Sequence, residues 1–181
     1  MKIAGLAWKK YHRRFRTQMV TAQGQISERS GILIRITSND GISGYGEAAP
    51  LPGYSKDTLE NITGFLENSS AIIRDIRLSD NRDQVFQSIA SCIPVSLPSL
   101  RFALETACGD ILAKAAGLPL ARWLSDAPRS EVPVNYLLPR PVEDWDYHVR
   151  TIRDGGYGCV KIKLGSTDPD SDIALVRKTR E

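Results

Sequence analysis

The sequence predicts a fold in two parts: an α+β segment over residues 1–131, built on a three-stranded antiparallel sheet plus helices, and a strand–helix–strand–helix run over 132–181. Three patterns predict it. Before Glu47 the residues give strand signals, clearest in the alternation of Ile32, Ile34 and Ile36, as on a strand half buried in a sheet. From Ser55 apolar residues recur every three or four positions, the period of a helix with one face inward. After Glu131 short apolar runs alternate with helical ones, an order that calls for a parallel sheet covered by helices.

Taken in order, Lys2 to Tyr11 reads as a first strand, and Thr17 to Ser30, polar with little to bury, as a mobile loop. Ile32, Ile34 and Ile36 share one face of a second strand. Ser38-Asn39-Asp40-Gly41 is a hairpin turn, because these residues tolerate the positive φ that tight turns demand, and Ile42 to Glu47 is the return strand. Leu59, Ile62, Phe65 and Leu66 mark a helix, and Asp83 to Ser91 a second. The strongest helix runs from Pro98 to Ala116, with Leu100, Leu104, Ala107, Ile111, Leu112 and Ala115 on one stripe, proline in its first turn, and Gly117 then Pro119 at its end. Val132 to Leu138 is a strand, Val142 to Arg153 a helix closed by Gly155-Gly156, and Cys159 to Leu164 a further strand. Asp168 and Pro169 open a last helix as N-cap and first residue, with Ile173 and Val176 turned inward. Two strands cannot make a parallel sheet alone, so the chain reads as the front of a longer fold.

Composition narrows the class. Of 181 residues 41% are hydrophobic and 25% charged, as in a folded globular chain. No apolar run approaches the ~20 residues that span a bilayer, and Ile3 to Trp8 is too short for a secretory core. Cys92, Cys108 and Cys159 share no CxxC spacing and read as small core hydrophobes in a reducing, cytoplasmic compartment. The net charge of +3 is local: Lys9, Lys10, Arg13, Arg14 and Arg16 lie within eight residues, and without them 19 bases face 21 acids. This run reads first as a strand end with solvated charges, then as a rim attracting an anionic substrate, and last as a nucleic-acid contact. A small non-enzymatic binding module using the same run is the rival from a different class.

Lys161-Ile162-Lys163 is the sharpest chemical signal. Residues two apart on a strand share a face, so both ammonium groups lie on one side, with Val160, Ile162 and Leu164 on the other. Set inside a closed barrel, the two would disfavour each other's charge, and desolvation would add to that, drawing a lysine toward general-base use. Gly41, Gly44 and Gly46 have the order GxxGxG, with no helix following, so a dinucleotide site is rejected; Ala49 to Ser55 is a rigid Pro/Gly loop able to shape a pocket. His12 and His148 have no carboxylate or cysteine at ligand spacing, and Asp168, Asp170 and Asp172 read as a helix start, not a calcium loop.

Together, the Gly46-Glu47-Ala48-Ala49-Pro50-Leu51-Pro52-Gly53 loop, the helix Arg101-x-Ala103-x-Glu105-x-Ala107-x-x-Asp110-x-x-x-Lys114 running into Gly117-Leu118-Pro119-Leu120, and the KxK strand resemble the enolase superfamily. Within it, Pro-Leu-Pro-Gly-Tyr-Ser and Pro133-Val134-Asn135 with Leu137-Leu138-Pro139 are similar to the o-succinylbenzoate synthase branch of menaquinone and phylloquinone biosynthesis. The resemblance implies a capping domain over 1–131 and the first two βα units of a modified TIM barrel over 132–181. It implies a small carboxylate substrate, bound between the barrel mouth and two capping loops that include Met19, Leu51, Pro52 and Gly53. Lys163 would be the acid/base of a dehydration, with Lys161 beside it, and Mg²⁺ would stabilise an ene-diolate. The family's metal ligands and an opposing lysine lie on later barrel strands, beyond this chain. A complete barrel takes about 250 residues, so the expectation is a fragment inactive alone, to be joined by a C-terminal barrel segment. Dipeptide epimerase and muconate cycloisomerase chemistry would keep the same two lysines.

Overall fold

The computed structural model describes residues 1–21, 24–165 and 168–181. The chain divides into two compact units: residues 1–19 with 25–128, and residues 129–181 grouped with 20–24.

The first unit is a sheet of order β1-β2-β3 carrying a set of helices. Strand β1 spans Ile3–Thr21, β2 Gly24–Ser38 and β3 Ser43–Ala48. β2 and β3 pair antiparallel with Ile32 opposite Ala48 and Ile36 opposite Gly44, closed by a turn in which Gly41 has φ +80°. Ile32, Ile34 and Ile36 are fully buried, as the alternation requires. The expected loop over 17–30 is corrected: its described residues belong to the two long arms of the β1–β2 hairpin, while Ala22 and Gln23 lie outside the described residues. The polarity of this segment misleads because a ribbon needs backbone pairing, not a core. Cross-strand polar pairs take the place of apolar ones here, with His12 bonded to Ser30 Oγ at 2.8 Å and paired to Glu28 at 3.0 Å. The run Lys9–Arg16 therefore lies within edge strand β1, where all five cations are exposed. Charge on an edge strand discourages pairing with another chain.

Helices α1 (Leu59–Ser69), α2 (Arg82–Cys92) and α3 (Pro98–Ala115) complete the core, with a 3₁₀ turn at Ser70–Asp75 and a short α4 at Leu120–Leu124. α3 buries Leu100, Ala103, Leu104, Ala107, Cys108, Ile111 and Leu112. Ala115, expected on that stripe, is exposed in the last turn, where the helix runs past the sheet. Gly117 (φ +66°) closes α3 with Leu118 N–H bonding the Ala113 carbonyl at 2.8 Å, a Schellman cap. α3 lies directly on β3 because Gly44 and Gly46 face it: a Cβ at Gly46 would stand 1.9 Å from the Ala103 carbonyl oxygen. The edge of β3 is also occupied. Asp110 accepts from Tyr45 N–H at 3.1 Å, and Lys114 donates to the Ser43 carbonyl at 2.9 Å and to Asp110 at 2.7 Å. Arg101 closes the end of α2, donating to the Ile93 and Ala90 carbonyls. The Arg101–Lys114 helix motif thus has a structural use at three of its positions.

The second unit pairs β4 (Tyr136–Leu137) parallel with β5 (Val160–Lys161), Tyr136 opposite Val160 and Leu137 opposite Lys161. Helix α5 (Trp145–Asp154) lies between them in sequence, and α6 (Pro169–Arg180) follows. The strands are shorter than the apolar runs over 132–138 and 159–164, because the ladder covers only two residues on each side. Val132, Val134 and Leu164 are exposed, and Ile173, expected inward, is 48% exposed. Cys159 is exposed, which corrects its assignment to a core; Cys92 is half-buried and Cys108 buried. Asp168 caps α6 as expected, accepting from Asp170 N–H at 3.1 Å.

Candidate active site

In the second unit the parallel ladder places the KxK segment. Tyr136 N–H bonds the Cys159 carbonyl at 2.9 Å and Leu138 N–H the Lys161 carbonyl at 3.0 Å. Lys161 is exposed and Lys163, two residues past the assigned strand, is half-buried. The backbone around Lys163 is held from outside the ladder. Arg140 Nη1 donates to the Lys163 carbonyl at 3.1 Å and to the Asp172 carboxylate, Arg140 Nη2 donates to Ser171 Oγ at 3.3 Å, and Gly165 N–H donates to Asp172 Oδ2 at 2.7 Å. Arg140 was not picked out by the sequence, and Asp172 only as part of a helix start, since a pair 32 positions apart leaves no periodic signal. His148 Nδ1 lies 2.5 Å from the Tyr136 hydroxyl, behind β4 in sequence terms and equally invisible to spacing.

In the first unit a cleft of about 420 Å³ is lined by His12, Glu28, Arg29, Pro52, Asp57 and Glu60, among others. Pro52 contributes to it; Met19, half-buried on β1, and Leu51 and Gly53 are not among its lining residues. The loop Ala49–Ser55 is rigid, as its prolines imply: Leu51 N–H bonds Ser55 Oγ at 2.8 Å, the Leu51 carbonyl accepts from Tyr54 and Ser55, and Gly53 has φ +78°. Arg29, which spacing could not reveal, ties β2 to this loop by donating to the Ala49 and Pro50 carbonyls. Beside it the Tyr11 hydroxyl donates to Glu47. Burial, then the hydrogen bond and charge of Glu47, push the Tyr11 phenol up to about 12, against the opposing charge of Arg29. Asp57, 3% exposed, accepts from Ser99 N–H and Oγ, both at 2.8 Å, and so caps α3 from the loop before α1. The Glu60 carboxyl is held below its usual range, chiefly by its own backbone N–H and then by Thr58.

Among the described residues, no group of three or more His, Cys, Asp and Glu is placed to hold a metal ion, so the described residues do not fit the implied Mg²⁺. Among them, too, no helix is long and apolar enough to cross a membrane.

The chain is similar to known proteins over most of its length. The chain is 31% identical over 193 residues to an o-succinylbenzoate synthase of Desulfotalea psychrophila, covering 92% of this chain and 51% of the relative. It is 28% identical over 172 residues to a hydrophobic dipeptide epimerase of Citrifermentans bemidjiense, covering 88% and 44%. Among solved structures, a dipeptide epimerase from Methylococcus capsulatus, complexed with Mg and the dipeptide L-Arg-D-Lys, superposes with a TM-score of 0.80 at 27% identity, over 98% of this chain and 50% of that one. The chain therefore spans about half the length of the relatives it matches. Residues 7–110, from β1 to Asp110 on α3, match the family model described as "MenC, N-terminal domain", and with its capping-type sheet and helices followed by paired βα units the chain belongs to that family.

Proposed function

We propose that this chain carries the lysine-bearing part of an o-succinylbenzoate synthase-type site, serving menaquinone or phylloquinone biosynthesis in the cytoplasm. The observation that supports it is the parallel pairing of β5 with β4, with Lys161 on the ladder and Lys163 two residues past it, at the end of a βα unit, where such folds carry their chemistry.

In this reading Lys163 Nζ, as the free amine, removes the proton α to the substrate carboxylate, and the C–H electron pair passes into the carboxylate as an ene-diolate. The resulting ammonium then gives a proton to the β-hydroxyl as its C–O bond breaks, so water leaves and the amine is regenerated. Lys161 stabilises the charge that gathers on the carboxylate oxygens. Met19, Leu51, Pro52 and Gly53 contact the substrate from the capping side. Epimerisation of a dipeptide is a second reading, supported by the epimerases among the relatives; there the proton would return to the same carbon.

The test is a dehydration assay on the hydroxy-carboxylate precursor of o-succinylbenzoate with Mg²⁺ present. It is run on residues 1–181 and on the chain with whatever its gene encodes beyond Glu181. Dipeptides in D₂O are assayed in parallel for α-proton exchange. Lys163→Ala is expected to lower turnover by about 10²–10⁴-fold, the range for loss of a general base. Turnover unaffected by that substitution overturns the assignment, and exchange on dipeptides without dehydration selects the second reading.

A further inference from the structure

We propose that Arg140 and Asp172 are positioning residues for Lys163, an inference that rests on Lys163 being the acid/base. Among the described residues the ladder ends at Lys161, two residues short of Lys163. An ion pair acts on both ends of the tripeptide that starts at Lys163. The Lys163 carbonyl accepts from Arg140 Nη1 at 3.1 Å, and Gly165 N–H donates to Asp172 Oδ2 at 2.7 Å. Arg140 bonds Asp172 in turn, closing a ring around Lys163-Leu164-Gly165.

Each partner is itself anchored. Asp172 sits in the first turn of α6, where a negative charge suits the helix dipole. Arg140 follows β4 and also reaches Ser171 Oγ. The side chains are only 26% and 16% exposed, so the pair is shielded enough to hold its geometry. Gly165 completes the device: at φ +97° it makes the turn that brings its N–H back to Asp172, a conformation that a side chain would disfavour. A planar guanidinium reaches carbonyl, carboxylate and hydroxyl from one group, which a lysine cannot do. Fixing the carbonyl of Lys163 and the N–H two residues on fixes the backbone between them, and with it the direction in which the Lys163 side chain leaves the chain.

The test compares wild type with Arg140→Met, Arg140→Lys and Asp172→Asn in the full chain. Competitive acetylation with acetic anhydride, read by mass spectrometry, is expected to shift the Lys163-to-Lys161 labelling ratio several-fold in Arg140→Met and Asp172→Asn. The shift should be smaller in Arg140→Lys, with labelling of Lys2 and Lys56 unmoved. Where turnover is measurable, kcat should fall by about 10–100-fold with KM nearly unchanged, the signature of a misplaced catalytic group. An unchanged ratio in variants whose circular dichroism is intact overturns the proposal, as does a shift shared equally by Lys2 and Lys56. If Arg140→Met does not fold, Arg140→Lys against Asp172→Asn carries the same comparison. A shifted ratio in a protein that transfers no α-proton would leave the clamp standing and remove the functional reading, so the two failures are distinguishable.

Discussion

The two units of this chain solve the same problem with very different resources. In residues 1–19 and 25–128 the apolar faces of a sheet and three helices close on one another, and every residue of the core cluster lies there. In residues 129–181 the helices α5 and α6 bury no side chain fully, and Leu138 is the one buried hydrophobic residue among those described. The difference shows that an amphipathic pattern specifies an element without specifying what covers it. The apolar stripe of α3 ends in a saturated core, whereas Ile173 on α6, also expected inward, is exposed.

The contrast can be broken or sharpened by mutation. Leu104→Ala, in the centre of α3, is expected to cost about 3 kcal/mol by cavity formation, read from chemical denaturation followed by circular dichroism. Gly46→Ala drives a methyl group into the Ala103 carbonyl and is expected to cost about 2 kcal/mol. Asp57→Ala removes the carboxylate that caps the start of α3 and should cost about 1 kcal/mol. A loss of unfolding free energy far below these values would mean that the first unit is less tightly packed than its burial implies.

Alkaline pH probes the same unit. The Tyr11 phenol is raised from 10 to about 12 in the folded chain, so folding favours its neutral form. Its contribution is fully present below pH 10 and is lost as pH rises from 10 toward about 12, since only the unfolded chain then ionises freely. Tyr11→Phe should flatten that part of the alkaline unfolding curve and remove a late-titrating component from the phenolate absorbance. The smallest effect belongs to the second unit: Ile173→Ala should change stability by no more than about 0.5 kcal/mol. A cost matching that of Leu104→Ala would erase the comparison.

Much of this was legible from local pattern. The isoleucine alternation, the Ser38–Gly41 turn, the Pro98 and Gly117 ends of α3 and the Asp168 cap each depend on residues within a few positions of one another. The β1–β2 hairpin was not, because its long arms are held by backbone pairing and by polar pairs such as His12–Glu28, which carry no hydrophobic period. The site divides the same way. Lys161 and Lys163 stood out because a two-residue spacing defines one face of a strand, and Leu51, Pro52 and Gly53 because prolines and glycine stiffen a turn. Arg29, Arg140 and Asp172, which hold those segments, act on carbonyls and N–H groups far away in the chain.

By itself the sequence determined both ends of α3, the start of α6, the apolar face of β2 and the two-residue spacing of the lysines, since these follow from periodicity and from backbone preferences of single residues. Tertiary structure alone decided that Gly44 and Gly46 admit α3, that Asp110 and Lys114 occupy the β3 edge, and that an arginine and an aspartate close around Lys163. Such contacts join groups that only folding brings within hydrogen-bond reach, and a bond of that range leaves no period in the chain.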